Sequence, residues 1–287
     1  MEMVETELIM KRNLIMFLSL AILLLSARVA DAQEYEWSPV NADASRTCTS
    51  SVTKDNVSVS LGTFKGGKYH APSGRKYCKR SATARVAREV INVQDRVSSV
   101  KEVVGFAPKP IDLKYPESPL SNMFIDVIMA NVQKLSGKKV DFGVGNFGGI
   151  RRDALNGEIL LDDMLSMFPF KNQIVYVAHK GSTLRALIES MAADSFQVLG
   201  GVEVLVENGQ VVKALIGGEP IDDDKIYGVA TISFLLNGGD KLYLEKDALE
   251  IQIFDVDIID IMLDYVKGLS AEGKPVLYSS DSRVIIR

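Results

Sequence analysis

Two apolar, β-branched runs, Val202–Val206 and Val211–Ile216, flank the tetrapeptide Glu207-Asn208-Gly209-Gln210. Asn-Gly places two residues that tolerate positive φ at the centre of a two-residue turn, the geometry whose twist matches that of antiparallel strands. The chain therefore commits to a hairpin here. Stretches of helical periodicity lie on both sides of it, and hairpins mixed with helices point to an α+β fold with mixed or antiparallel sheets and packed helices. A doubly wound parallel sheet is excluded on the same ground.

The helical pattern is clearest at Leu120, Met123, Phe124, Val127, Ile128 and Leu135, which recur three or four apart. Ser118 or Pro119 opens that helix and Ser136-Gly137 ends it. A second helix is expected over Thr83–Val100 from the spacing of Val86, Val90, Val93 and Val97, with a break at Pro108 and Pro110. Further helices are expected at Leu161–Met167, Gly181–Ala192 and Asp255–Leu269. Strands are expected at Lys139–Val144, Gln173–Ala178 and Lys225–Ile232, with a closing strand at Val284–Ile286. Upstream, the polar residues Gln33–Ser81 read as an irregular lead-in, with one strand at Val57–Leu61 and turns at Gly66-Gly67 and Pro72-Ser73-Gly74.

Lys11-Arg12, the apolar run Leu14–Leu25 and the small-residue site Ala30-Asp31-Ala32 have the order of a secretory signal peptide. The expected organisation is thus a signal peptide over 1–32, an irregular lead-in over 33–82 and one domain over 83–287. Cleavage after Ala32 would send a mature chain starting at Gln33 to the periplasm or the exterior, with no membrane span of its own. The initiator is Met1 or Met10. In an oxidising compartment Cys48 and Cys78 could pair, and the sequence leaves a bridge and two separate thiols equally open. The formal charge of −4 shows no broad excess of Lys and Arg, which argues against nucleic acid as a partner. A phosphate ligand would have to be held by a few placed arginines.

The glycine-rich stretch Gly143 to Glu158 bears on function. Gly143-Val144-Gly145-Asn146-Phe147-Gly148 satisfies the spacing of a dinucleotide fingerprint, but Asn156-Gly157 is expected to turn the chain where a helix would have to point its amides at a pyrophosphate. A plain turn between strands also fits the spacing. A third reading starts from Asn146-Phe147-Gly148-Gly149-Ile150-Arg151 and continues in order along the chain. It takes in Phe168-Pro169-Phe170-Lys171-Asn172, Gly181-Ser182-Thr183-Leu184, Leu199-Gly200-Gly201 and Phe234-Leu235-Leu236-Asn237-Gly238-Gly239-Asp240. This ordered set, between Glu117 and Tyr243, resembles the 5′-nucleotidase C-terminal domain family.

The resemblance implies that Asn146, Arg151, Phe170, Asn172, Gly201, Phe234 and Asp240 bind a nucleoside or nucleoside monophosphate. The chemistry suits those residue types. A guanidinium offers a planar fork of donors to phosphate or ribose oxygens. Side-chain amides both donate and accept, two phenyl rings can enclose a flat base, and a carboxylate can accept from both vicinal ribose hydroxyls. Outside that context, a Phe after Pro belongs to a core and an Asp after Gly-Gly to a turn. Two positions depart from the family pattern: Pro116 stands where an arginine often precedes Glu117-Ser118, and Ser233 stands where an asparagine often precedes the stacking Phe. Asn122 matches a frequent family asparagine and is expected to be structural.

Complete members of the family resemble a fusion of this domain to a metallophosphatase domain whose two divalent metals activate water. The chain has only two histidines, His70 and His179, and none of the Asp-x-His, Asn-His-[DE] or Gly-His-x-His ligand motifs. Asp162-Asp163 fits a helix N-terminus and Asp222-Asp223-Asp224 an acidic turn. No catalytic residue and no cofactor are therefore expected in this chain, and the divalent metals are expected on a partner metallophosphatase chain. The resemblance implies a recognition half acting in nucleotide catabolism with that partner. The alternative is a non-catalytic nucleoside- or nucleotide-binding protein.

Overall fold

The structure, a computed structural model, describes residues 13–16, 46–50, 52 and 55–287. Residues 1–46 and 47–287 form separate units, and of the first only Asn13–Met16, which are helical, and Arg46 are described. The expected signal peptide and its cleavage site otherwise lie outside the described residues.

The second unit begins with α1 (Val57–Leu61), followed by β1 (Thr63–Lys65), β2 (Lys68–His70) and β3 (Lys76–Cys78), an antiparallel three-stranded sheet with β2 in the middle. Helix α2 (Ala82–Asn92) is capped by Ser81, whose Oγ accepts from Ala84 N–H at 3.2 Å. Tyr69, Ala71 and Ala84 form a small buried cluster, with Tyr77, Ala87 and Ile91 packed around it. The Tyr69 hydroxyl donates to Leu61 O at 2.6 Å, which ties α1 to the sheet.

The larger domain follows. β4 (Val103–Asp112) leads to α3 (Pro119–Ser136), β5 (Phe142–Gly145), β6 (Ala154–Leu160), α4 (Leu161–Met167), β7 (Gln173–Lys180) and α5 (Gly181–Ala193). Then come β8 (Val198–Gly200), β9 (Val202–Glu207), β10 (Gln210–Ile216), β11 (Glu219–Pro220), β12 (Ile226–Ile232), β13 (Glu250–Asp257), α6 (Ile258–Ala271) and β14 (Val284–Ile286). The central sheet has the order β13-β7-β12-β5-β8, antiparallel except for the parallel β12–β5 pair. A second sheet, β11-β10-β9-β14, contains the hairpin, with Asn208 and Gly209 at φ 50° and 76°, and β14 runs parallel to β9. The architecture is α+β with mixed sheets.

Helix α3 organises the core. Ser118 and Ser121 cap each other reciprocally, Pro119 occupies the first helical position and Gly137 closes the helix at φ 64°. Leu120, Met123, Phe124, Ile125 and Ile128 are wholly buried. The helix lies directly on β5, where a Cβ on Gly143 or Gly145 would stand 2.7 Å from Ile125 or 2.6 Å from the Phe124 ring. These glycines let helix and strand approach, and the strand they shape ends where the site begins.

Several expectations are corrected. Val57–Leu61 is one helical turn: Ser60 N–H donates to Asn56 O and Gly62 N–H to Ser58 O, and Gly62 ends the turn at φ 78°. The supposedly irregular lead-in contains a sheet and shares its small core with α2, so packing draws no line at residue 83. Helix α2 stops at Asn92, short of Val100. Pro108 and Pro110 lie inside β4, between Ala107 and Ile111 where the register shifts and the ladder needs no donors. Asn156-Gly157 is not a turn: Gly157 pairs with Ala107 within β6 beside that irregularity. β13 occupies residues 250–257, so the last helix begins at Ile258 and not at Asp255. Cys48 and Cys78 are both exposed, and no disulfide occurs among the described residues.

Candidate functional site

At the end of β5 the chain leaves the sheet through Asn146, makes one 3-10 turn at Phe147–Gly149, re-enters the core at Ile150 and surfaces at Arg151. Asn146 is buried, and its Nδ2 donates to Asp240 Oδ2 at 2.7 Å across 94 positions of sequence. A Cβ on Gly149 would meet Asn146 Oδ1 at 2.5 Å, so the second glycine of the pair is what lets this amide pack against the backbone.

Asp240 is exposed and sits in left-handed backbone at φ 47°, ψ 36°, between Gly238 at φ 93° and Lys241 at φ 63°. Non-glycine residues in that region need support from their surroundings. The Asn146 bond and the Lys241–Asp194 ion pair at 2.8 Å supply it.

Phe170 and Phe234 are each 45% exposed, unusual for phenyl rings. Both stand at the same end of the β7–β12 pair. Ile174 and Ile232 form its last paired rung, and Gln173 N–H donates to Ser233 Oγ at 3.1 Å. That bond gives Ser233, which departs from the family pattern, a positional role. The Arg151 guanidinium lies over the Phe170 ring, 5.9 Å from its centroid, and donates to Gly148 O at 3.4 Å. Gly239 abuts the Phe234 ring, where a Cβ would come within 2.7 Å of its carbons. Asn172 is half-buried, and its carbonyl accepts from Ile258 N–H at 3.0 Å at the start of α6.

The structure thus joins Asn146 to Asp240, Arg151 to Phe170, and Phe234 through Gly239 to Asp240. Asn172 lies two residues beyond Phe170 on the same loop. Gly201 is elsewhere: at φ 70° it follows the far end of β8 and lines a separate depression with Asp126, Gly217 and Arg283.

Beside Asp240 opens a cavity of about 340 Å³ that sequence reasoning missed, lined by Lys114, Tyr115, Phe147, Phe196 and Gln197 among others. The Tyr115 and Phe147 rings stand 5.8 Å apart. Tyr115 Oη accepts from Phe196 N–H at 3.1 Å, and Gln197 Oε1 accepts from Phe147 N–H at 3.2 Å. Phe147 lies within the Asn-Phe-Gly-Gly-Ile-Arg motif itself, so its position was the available signal. Pro116, joined to Tyr115 by a cis peptide bond, follows this aromatic wall.

Toward the other end of β7, His179 is buried with Nε2 at 2.9 Å from Leu244 O, on the segment that follows Asp240. Burial pushes its pKa below the ordinary value, although the Leu244 bond opposes this. Asn122 is structural: its Nδ2 donates to Glu117, Ser279 O and Asp281. Nearby, Arg283 forms a bidentate pair with Asp126 and a second pair with Asp281. Burial opposes the Arg283 charge, but the two carboxylates outweigh it and hold the guanidinium protonated. Burial foremost, and then the Asp126 charge, raise the Tyr278 pKa. Among the described residues no group of three or more His, Cys, Asp or Glu side chains is placed to hold a metal ion.

The mixed sheet thus carries an amide, a carboxylate, a guanidinium and two half-exposed phenyl rings on the loops at the ends of β5, β7 and β12. The family model described as 5′-nucleotidase, C-terminal domain matches residues 103–246, half of the chain, and the chain belongs to that family. Protein UshA of Salmonella pullorum is 35% identical over 105 residues, covering 35% of this chain and 19% of that protein. A 5′-nucleotidase of Vibrio cholerae is 29% identical over 133 residues, 45% of this chain and 23% of the relative. Among solved structures, a 5′-nucleotidase precursor from Thermus thermophilus superposes with a TM-score of 0.61 at 22% identity, over 71% of this chain and 43% of that one. At that identity the likeness concerns the fold. The chain spans about a fifth of the length of the curated relatives it matches. Among the described residues no helix is long and apolar enough to cross a membrane.

Proposed function

We propose that the chain is the recognition half of a two-chain 5′-nucleotidase active in nucleotide catabolism outside the cytoplasm. It holds the base and ribose of a nucleoside monophosphate while the phosphate projects into the dimetal centre of a separate metallophosphatase chain. The observation that carries this reading is the pair of half-exposed rings, Phe170 and Phe234, at one end of the β7–β12 pair beside the Asn146–Asp240 bond and Arg151.

In this reading the rings face the base, Asp240 accepts from the vicinal hydroxyls, and Asn146 keeps that carboxylate oriented. Arg151, exposed and anchored over Phe170, faces the phosphate side. Asn172 supplies an amide to the edge of the base. The chain contributes by positioning, which lowers the entropy lost on attack at the other half. The divalent metals belong to the partner.

Reconstitution with a metallophosphatase chain tests this. Arg151→Ala and Asp240→Ala are expected to slow phosphate release from adenosine monophosphate, and release equal to wild type with both variants would refute the reading. Calorimetry on the chain alone separates the alternative, since tight adenosine binding with no phosphatase co-purifying from native extract identifies a non-catalytic binding protein.

A further inference from the structure

The small N-terminal sheet and helix carry chemistry that nucleotide recognition does not use. Between Thr63 and Arg88 the sequence holds eight Lys and Arg and no Asp or Glu. Apart from Arg88 these cations are exposed, and among the described residues none of the eight pairs with a carboxylate.

Helix α2 is apolar on two sides. Ala84, Ala87 and Ile91 face the small core. Val86, Val90 and Val93 face outward and are 63%, 39% and 38% exposed. A helix that only covers a core turns polar residues to that side. The outward stripe adjoins an apolar groove of about 440 Å³ lined by Leu61, Tyr69, Thr83, Val86, Ala87 and Val90 among others. Exposed cations lie along the same stretch of chain, Lys79 and Arg80 just before the cap, Arg85 in the first turn and Arg96 beyond the end, with Glu89 and Asp95 the exposed acids among them.

A valine stripe on a region with eight cations between Thr63 and Arg88 matches a surface that offers hydrocarbon beneath and negative charge above. Arginine stems can lie along such a boundary with the guanidinium reaching outward. Single-stranded nucleic acid fits less well, because Tyr69 is buried, Arg88 already lies over Phe64 at 4.8 Å, and valines give phosphates nothing to bind. We propose that the outer face of α2 docks on a bilayer rich in anionic phospholipid, with Val86, Val90 and Val93 in the interface and Arg85 and Arg96 at the phosphates. This is surface attachment without a spanning segment, and it does not rest on nucleoside recognition.

The test is flotation of the full chain with vesicles of phosphatidylcholine alone and of phosphatidylcholine mixed with phosphatidylglycerol. Binding is expected to be stronger to the mixed vesicles, and that excess to weaken as salt rises. Val86→Asp combined with Val90→Asp is expected to reduce it about tenfold. Arg85→Glu is expected to reduce it about fivefold or more. Thermal melts should match wild type, since the replaced side chains are exposed. Both variants leave the apolar run Leu14–Leu25 intact, so undiminished flotation of the double-aspartate variant would overturn the proposal. Equal binding to neutral vesicles, or retention of a single-stranded oligonucleotide in place of vesicles, would overturn it too.

Discussion

The sheet-and-helix region over residues 57–92 and the domain over 103–286 differ in how much apolar surface they bury. The domain has a deep core built around α3, and the half-exposed rings of Phe170 and Phe234 stand at the loop cluster where Asn146 meets Asp240. The small region buries only three hydrophobic residues in its cluster and leaves a stripe of valines uncovered along a whole helix. Charge divides in the same way. A net charge of −4 conceals a 26-residue stretch, Thr63 to Arg88, with eight cations and no acid. An average over a chain is therefore a poor guide to what either part of it can meet.

Tyr69→Ala separates the two regions most strongly. The ring fills most of the small cluster and its hydroxyl holds α1, so the change is expected to cost about 4 kcal/mol and to melt residues 57–92. Differential scanning calorimetry should then show the larger domain melting at its wild-type temperature, and a single lowered transition would mean that the two parts fold as one. Arg283→Ala probes the other side: removing the guanidinium strands Asp126 and Asp281, for roughly 3 kcal/mol of domain stability by urea titration. Asp240→Ala leaves both cores intact and, on the proposed function, is expected to weaken adenosine binding about thirtyfold by calorimetry.

The smallest effect comes from pH. His179 has a folded-state pKa below 6.5, depressed chiefly by burial, so the unfolded chain takes up its proton first as the solution is acidified. Its contribution to stability is complete above pH 6.5 and is lost as pH falls toward the depressed value. Thermal melts from pH 8 to 5 should decline in this window, and His179→Gln should flatten the decline.

Local chemistry made much of the domain legible. Asn208-Gly209 had only one comfortable conformation, Ser118-Pro119 marked the start of α3, and Leu161–Met167 and Val284–Ile286 fall where their patterns put them. The elements that escaped depend on distant partners. β4 tolerates Pro108 and Pro110 because its ladder with β6 is interrupted there, and Val57–Leu61 alternates like a strand yet coils because Tyr69 and Gly62 fix it against β2. In the candidate site, the ordered motifs named Asn146, Arg151, Phe170, Phe234 and Asp240, whose contacts the structure shows. They did not disclose that Asn146 holds Asp240, that Gly201 lies at the far end of β8, or that Tyr115 and Gln197 wall a cavity. Those facts belong to tertiary contacts between residues up to 94 positions apart.

The unusual backbone of the Asp240 segment has a kinetic corollary. Gly238, Asp240 and Lys241 adopt positive φ, with Asn146 and Asp194 bonded to the segment. A loop so constrained has little left to rearrange when a small molecule arrives. Capture would then be governed by the frequency of encounter, and the amide hydrogens of this segment would exchange slowly in the unliganded protein.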